Sequence, residues 1–187
     1  MTELSNSEIR ALAGKAARGA GHAWGIAEEA GWAAEWLARR DLPAAEWLCA
    51  WLEEPPGPGC PLVAGLALAE GGGLSEGALR VPGLLLPFLH RLAAAQGVSV
   101  TLRLEEGASA SVSPGGAVHL TGIPGPRTAR LRIETAPMAG AAPAPANGRA
   151  RLTGAQADRL QALALCCTVP PSARSRADAG AAQGDND

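Results

Sequence analysis

All five tryptophans of the chain, Trp24, Trp32, Trp36, Trp47 and Trp51, fall in its first third, while its 187 residues include one Phe and no Tyr. An indole ring is first of all apolar surface to be buried, with one N–H that needs a partner when it is. The front of the chain must therefore fold around these rings or present them to something that covers them. The back is assembled from Ala, Gly, Val, Leu and Arg. The single lysine, Lys15, stands among fifteen arginines, and it too lies in the front third. Excess Ala, Gly, Pro and Arg is the residue bias of a GC-rich coding sequence, so the small residues need no functional explanation of their own.

Ser5 followed three residues later by Glu8 is a capping box, after which Ile9, Leu12, Ala13, Ala16 and Ala20 recur at helical spacing. A first helix is expected from about Asn6 to Gly19. Glycines at 19, 21 and 25 interrupt the pattern, which resumes with Ile26, Ala30, Ala33 and Leu37 on one face. Pro43 suits the first position of a third helix carrying Trp47, Leu48, Trp51 and Leu52 on one side. The front, residues 1–54, is a helical unit. The proline and glycine run of residues 54–61 cannot continue a helix and reads as a linker.

Residues 61–171 read as an α+β unit. Leu62 to Glu70 is a short apolar segment that periodicity assigns neither to helix nor to strand. Leu84 to Gln96 is a buried helix with Gly97 as its C-cap. Alternation over 98–104, 108–113, 117–121 and 127–134 predicts strands of an antiparallel meander with one face against helices. Thr153 with Gln156 is a second capping box, opening a helix whose buried stripe is Leu160, Leu163, Ala164 and Cys167. The expected architecture is α+β: a Trp-rich helical unit packed with a small antiparallel sheet and one or two covering helices, in one compact domain. Residues 172–187 hold no large apolar side chain and form an acidic-ended tail.

Charge argues against nucleic acid. The net charge is −2, and residues 1–54 carry five Lys or Arg against nine acids, 61–135 six against five, and 136–187 five against four. No segment has the basic stripe that phosphate tracking needs. No apolar run approaches the roughly 20 residues that span a bilayer, and the amino terminus has no basic-then-apolar leader, so a cytoplasmic location is expected. Four cysteines, Cys49, Cys60, Cys166 and Cys167, include no C-x-x-C pair, and the pattern indicates no metal site. No motif names a cofactor, a reaction or a catalytic group, and nothing specifies the oligomeric state.

The candidate site lies at the junction of the first two helices. If the first helix extends through His22, then Glu8, Lys15, Arg18 and His22 lie within about 80 degrees of one another and form a strip able to hold an anion. Trp24 follows directly. Of Glu28 and Glu29, adjacent on the next helix, only one is expected to reach a shared site. The alternative is a solvated helix flank beside a tryptophan core, with Trp32 and Trp36 packed on Trp47 and Trp51 and Glu35–Arg39 as an i,i+4 pair. Cys60 reads as a thiol in an exposed linker, and His90 and His119 as structural histidines.

Read as one block, Lys15-Ala16-Ala17-Arg18-Gly19-Ala20-Gly21, Trp24-Gly25 and Ala27-Glu28-Glu29-Ala30-Gly31, with the closing Gly184-Asp185-Asn186-Asp187, resemble a bacterial family of unknown function. The likeness extends along the chain and is most specific at these two ends. It implies no reaction, substrate or catalytic residue. It does imply a role for the tail, with Asp185 and Asp187 folding back toward Lys15, Arg18 and His22 to build or close a pocket. Were those acids to gather with Glu28 or Glu29, an oxygen-ligated magnesium or calcium would fit better than zinc. Two functions follow as expectations: a binding protein or small enzyme for an anionic small molecule, or a non-catalytic subunit docking a protein partner through its tryptophan face.

Overall fold

Both capping boxes form. In the computed structural model, which describes residues 1–73, 78–137 and 148–167, Ser5 opens helix α1, Asn6–Gly19, and its backbone N–H donates to Glu8 Oε2 at 2.7 Å. Ile9, Ala13, Ala16 and Ala17 form its buried stripe. Helix α2, Trp24–Ala38, and helix α3, Ala44–Trp51, follow. Pro43 is the residue before α3, one position earlier than expected, a difference of the size at which helix ends are defined.

The ambiguous apolar segment is helix α4, Pro61–Ala69, with its proline at the first turn. Its Gly65 lies directly against the Phe88 ring, so α4 packs on helix α5, Leu86–Gln96, at near-backbone distance. A single 3₁₀ turn, Pro82–Leu85, leads into α5, and Gly97 ends it at φ 67°, the left-handed cap that glycine adopts without a Cβ penalty. The last helix among the described residues, α6, Gly154–Leu165, starts from the Thr153–Gln156 box. Leu160 and Ala164 are buried on it and Leu163 half-buried, but Cys167 is exposed because the helix has ended before it.

Two antiparallel sheets complete an α+β fold. The smaller pairs β1, Thr2–Leu4, with β7, Ala150–Leu152. The larger has five strands, β2 (Ala78–Leu79), β3 (Val98–Leu104), β4 (Ser109–Val112), β5 (Val118–Thr121) and β6 (Ala129–Pro137), in the order β2-β6-β3-β4-β5. Only β3-β4-β5 is a meander. β6 returns to the far side of β3, placing Ile133 opposite Leu102 and Leu131 opposite Leu104, which extends one apolar face across a third strand. Val100, Leu102, Leu104, Ala110 and Val112 are buried on that face, where α5 lies against β3 and β4. On the opposite face Thr101 and Ser111 share a hydroxyl hydrogen bond of 2.8 Å, and Arg103 donates to Glu134 at 2.7 Å.

Among the described residues no ring contact joins one tryptophan to another, unlike the packing of Trp32 and Trp36 on Trp47 and Trp51 in the alternative reading. Four of the five secure different joints. Trp32 meets Phe88 edge-on at 5.3 Å, and Trp51 stacks on His22 at 4.1 Å. Trp47 donates to the Pro124 carbonyl at 3.1 Å. Trp36 donates to His90 Nδ1 at 3.0 Å, leaving Nε2 of His90 to donate to the Pro114 carbonyl at 3.1 Å. With Arg40 donating to the Gly116 carbonyl at 2.8 Å, α2 is tied to the β4–β5 turn. Trp32, Trp36 and Trp47 join the front of the chain to the back, and one continuous core contains residues of both.

Candidate functional site

The antiparallel pair α1 and α2 meets through small residues. A Cβ on Gly14 would lie 3.3 Å from the Ala27 carbonyl oxygen, and one on Gly31 would lie 2.7 Å from that of Arg10. With the backbones this close, the floor between the helices is Ala and Gly, and longer side chains stand up on either flank. They enclose a cleft of about 750 Å³, within the roughly 300–1,000 Å³ of small-molecule sites. Its α1 wall carries Arg10, Lys15 and Arg18, and its α2 wall Trp24, Glu28, Glu29 and Trp32. Arg91 of α5 and Cys167 complete the rim.

The walls differ in charge, and part of that charge is already matched. Glu29 meets Arg91 at 3.0 Å, while the Arg91 guanidinium lies 3.6 Å above the Trp32 ring. Arg10 donates to Glu35 at 3.0 Å, and Arg39, in the expected i,i+4 pair, meets Glu35 at 2.6 Å. Burial opposes ionisation of Glu35, but hydrogen bonds from Arg39 and Arg10 outweigh it and hold the carboxyl below its usual range. Arg18 donates to the His22 carbonyl at 2.6 Å, with its guanidinium carbon 5.4 Å from the Trp24 ring centre. Among the described residues the Lys15 ammonium and the Glu28 carboxylate, both exposed, make no side-chain hydrogen bond or ion pair.

Of the residues singled out in the sequence, Lys15, Arg18, Trp24, Glu28 and Glu29 therefore line one cleft. Both glutamates border it, where one was expected. They part in another way: Glu29 is engaged by Arg91, leaving Glu28 available. Arg10, Arg91 and Cys167 were not anticipated. Arg10 was within reach of the helical wheel, eight residues before Arg18 and about 80 degrees away on the same helix. Arg91 and Cys167 arrive from elements whose positions no local pattern encodes. Asp185 and Asp187 lie outside the described residues, as does the rest of the expected tail.

His22 does not join the strip. The helix ends at Gly19, and Gly21 at φ 91° turns the chain back, a conformation open to glycine and costly for other residues. The imidazole is carried inward, 3% exposed and stacked on Trp51. Arg80 lies buried in the same region, donating through Nη1 to Glu54 at 3.0 Å and to the Pro55 carbonyl at 3.2 Å. Nε2 of His22 has no hydrogen-bond partner among the described residues. Burial, reinforced by the Arg80 charge, lowers the His22 pKa.

His90 shifts in the same direction: burial and the Arg40 charge lower its pKa against the opposing bond to Pro114, and protonation would remove the acceptor for Trp36. Both imidazoles are thus neutral in the fold at a pH where the unfolded chain has begun to protonate, near 6.5. As pH falls below that value the unfolded state takes up protons first, so stability present above it is lost until the folded state also protonates. The slope cannot exceed about 1.4 kcal/mol per pH unit for each histidine. Urea unfolding at pH 7.5, 6 and 5 should show this decline, and His90→Gln should flatten it; equal stability at all three would refute the assignment.

Among the described residues no group of three His, Cys, Asp or Glu side chains is placed to hold a metal ion. Cys60 is not the exposed linker thiol expected: it is buried at the start of α4. Burial pushes the Cys49 thiol up to about 11, which leaves little thiolate at neutral pH. No described helix is long and apolar enough to cross a membrane.

Residues 4–81 match the model of a family described as Protein of unknown function (DUF3726). The match contains the Lys15 to Gly31 block, and with it both long walls of the cleft, but not Arg91, Cys167 or the closing Asp185–Asp187. No curated protein and no solved structure matches the chain.

Proposed function

We propose that the protein binds a small anionic molecule in the cleft between α1 and α2. The observation that carries this reading is an apolar-floored cleft of about 750 Å³ with Lys15 and Arg18 on one wall. Arg18, already held by the His22 carbonyl, keeps further N–H donors, while the Lys15 ammonium has no partner among the described residues. Charge-assisted hydrogen bonds from such groups are among the stronger polar contacts a ligand can make.

The alternative, docking of a protein through an open tryptophan face, has less support. Trp32 lies beneath Arg91 and against Phe88, and Trp36 is 6% exposed. Trp24 alone presents its ring outward, at 66% exposure, and a single exposed aromatic residue is not an apolar patch of the size that marks an interface.

Lys15→Ala separates binding from folding. Because the lysine is exposed and unpaired among the described residues, its removal should change stability by no more than about 0.5 kcal/mol. It should weaken binding of simple carboxylates or inorganic phosphate by about tenfold, the usual scale for one charged hydrogen bond. Titration of the wild type and Lys15→Ala, followed through the tryptophan indole N–H resonances, measures this; equal affinities would remove the basis of the anion site.

A further inference from the structure

The geometry points to a more specific occupant of this cleft: a zwitterion, with a carboxylate at the α1 wall and an ammonium group at the α2 wall. The inference rests on the anion-binding reading and adds the substrate class. Its starting point is Glu28. In a cleft that serves simple anions, an exposed carboxylate on the wall opposite Lys15 and Arg18 works against the ligand.

The other acids along this helix face have partners, Glu29 in Arg91 and Glu35 in Arg10 and Arg39. Glu28 has none among the described residues, although Lys15 lines the same cleft. Close contacts between the helices align the walls: Gly14 lies against Ala27, and Gly31 against Arg10. That alignment places Lys15 near the level of Glu28 and Arg18 near that of Trp24. The unpaired charges are therefore segregated by wall, positive on α1 and negative on α2, across a floor of small residues.

A ligand whose two charges are a short chain apart complements both walls at once. Its carboxylate meets Lys15 and Arg18. Its ammonium meets the Glu28 carboxylate, one helical turn from Trp24. An anion without the ammonium leaves Glu28 uncompensated, and an amine without the carboxylate leaves Lys15 and Arg18 so.

The test compares pentanoate, 2-aminopentanoate and 5-aminopentanoate on the full chain, in the wild type, Glu28→Gln and Lys15→Ala, by indole N–H titration. At least one amino acid should bind up to about fivefold tighter than pentanoate, the upper scale of one exposed ion pair. Glu28→Gln should abolish that advantage while binding pentanoate at least as tightly as the wild type, since a repelling charge has gone. Thermal melts of both variants confirm folding. If pentanoate binds in a Lys15-dependent way but neither amino acid gains, or the gain survives Glu28→Gln, the zwitterion inference is overturned and the anion site stands. If no carboxylate distinguishes the wild type from Lys15→Ala, both fall.

Discussion

Trp47→Ala should destabilise the protein by about 4 kcal/mol, within the 3–5 kcal/mol measured for removing a large buried aromatic side chain. Trp47 is fully buried. Its ring lies against Gly83, where even one added Cβ would come within 2.7 Å of three ring atoms. It also donates to the Pro124 carbonyl at 3.1 Å in a buried hydrogen bond. Truncation therefore leaves a large cavity and a carbonyl without its donor, and the 3₁₀ turn cannot collapse far because Pro82–Leu85 is itself packed on all sides. Natural stabilities of about 5–15 kcal/mol leave little margin for such a loss. At about 2–4 °C per kcal/mol for a chain of this size, melting should fall by roughly 8–16 °C. Trp47→Phe keeps most of the apolar contact but not the N–H, so it should lose much less. Urea unfolding followed by far-ultraviolet circular dichroism distinguishes them, and a loss below about 1.5 kcal/mol for Trp47→Ala would contradict the role given to this ring.

That role also marks where sequence reasoning stopped. The aromatic cluster implied burial, and burial was right for Trp36, Trp47 and Trp51, but not which surfaces each ring meets. Local signals were strong where the physics is local. Capping boxes at Ser5 and Thr153 and the alternation of β3 and β6 depend on residues within a few positions, and each element formed close to its expected bounds. Pairing is different. β1 is three residues long and its partner β7 lies at the other end of the chain, so neither carries a period to recognise. β6 was legible as a strand, yet its place beside β3 depends on extending the apolar face of β3, where Ile133 lies opposite Leu102 and Leu131 opposite Leu104.

The candidate site shows the same division. Lys15 and Arg18 belong to one helix and Trp24, Glu28 and Glu29 to the next, so a helical wheel gathers each group correctly. His22 was lost because extending α1 by three residues ignored Gly21, whose positive φ reverses the chain. Arg91 was invisible because its approach to Glu29 depends on how α5 crosses α2. Pairing by Arg91 is also what distinguishes Glu29 from Glu28, and so the adjacent glutamates acquire different roles through a tertiary contact.

Two glycines in the same part of the chain should respond oppositely to one methyl group. At Gly19, the last residue of α1, an added Cβ would coincide with the carbonyl of Leu163 and lie 3.3 Å from Cys166 Cβ. The obstruction is backbone, which cannot rotate away as a side chain would, so α6 must move off α1. Overpacking of this kind costs about 1–3 kcal/mol, and more where no relaxation is open; Gly19→Ala should lie at or above the upper end. At Gly25, in the first turn of α2, a Cβ would meet nothing within 4 Å, and its φ is not in the left-handed region. There the alanine removes only the extra conformational freedom of the unfolded glycine, and Gly25→Ala should stabilise by about 0.4–1 kcal/mol. The displaced α6 carries consequences for the cleft as well. The sulfur of Cys167, just beyond that helix, lies 3.4 Å from the Lys15 carbonyl oxygen and forms part of the rim, so Gly19→Ala should weaken carboxylate binding while Gly25→Ala leaves the α1–α6 contact intact. Paired urea unfolding and carboxylate titration of the two variants decide the matter: similar stabilities would mean that α1 and α6 do not meet at Gly19, and that the cleft has a different rim.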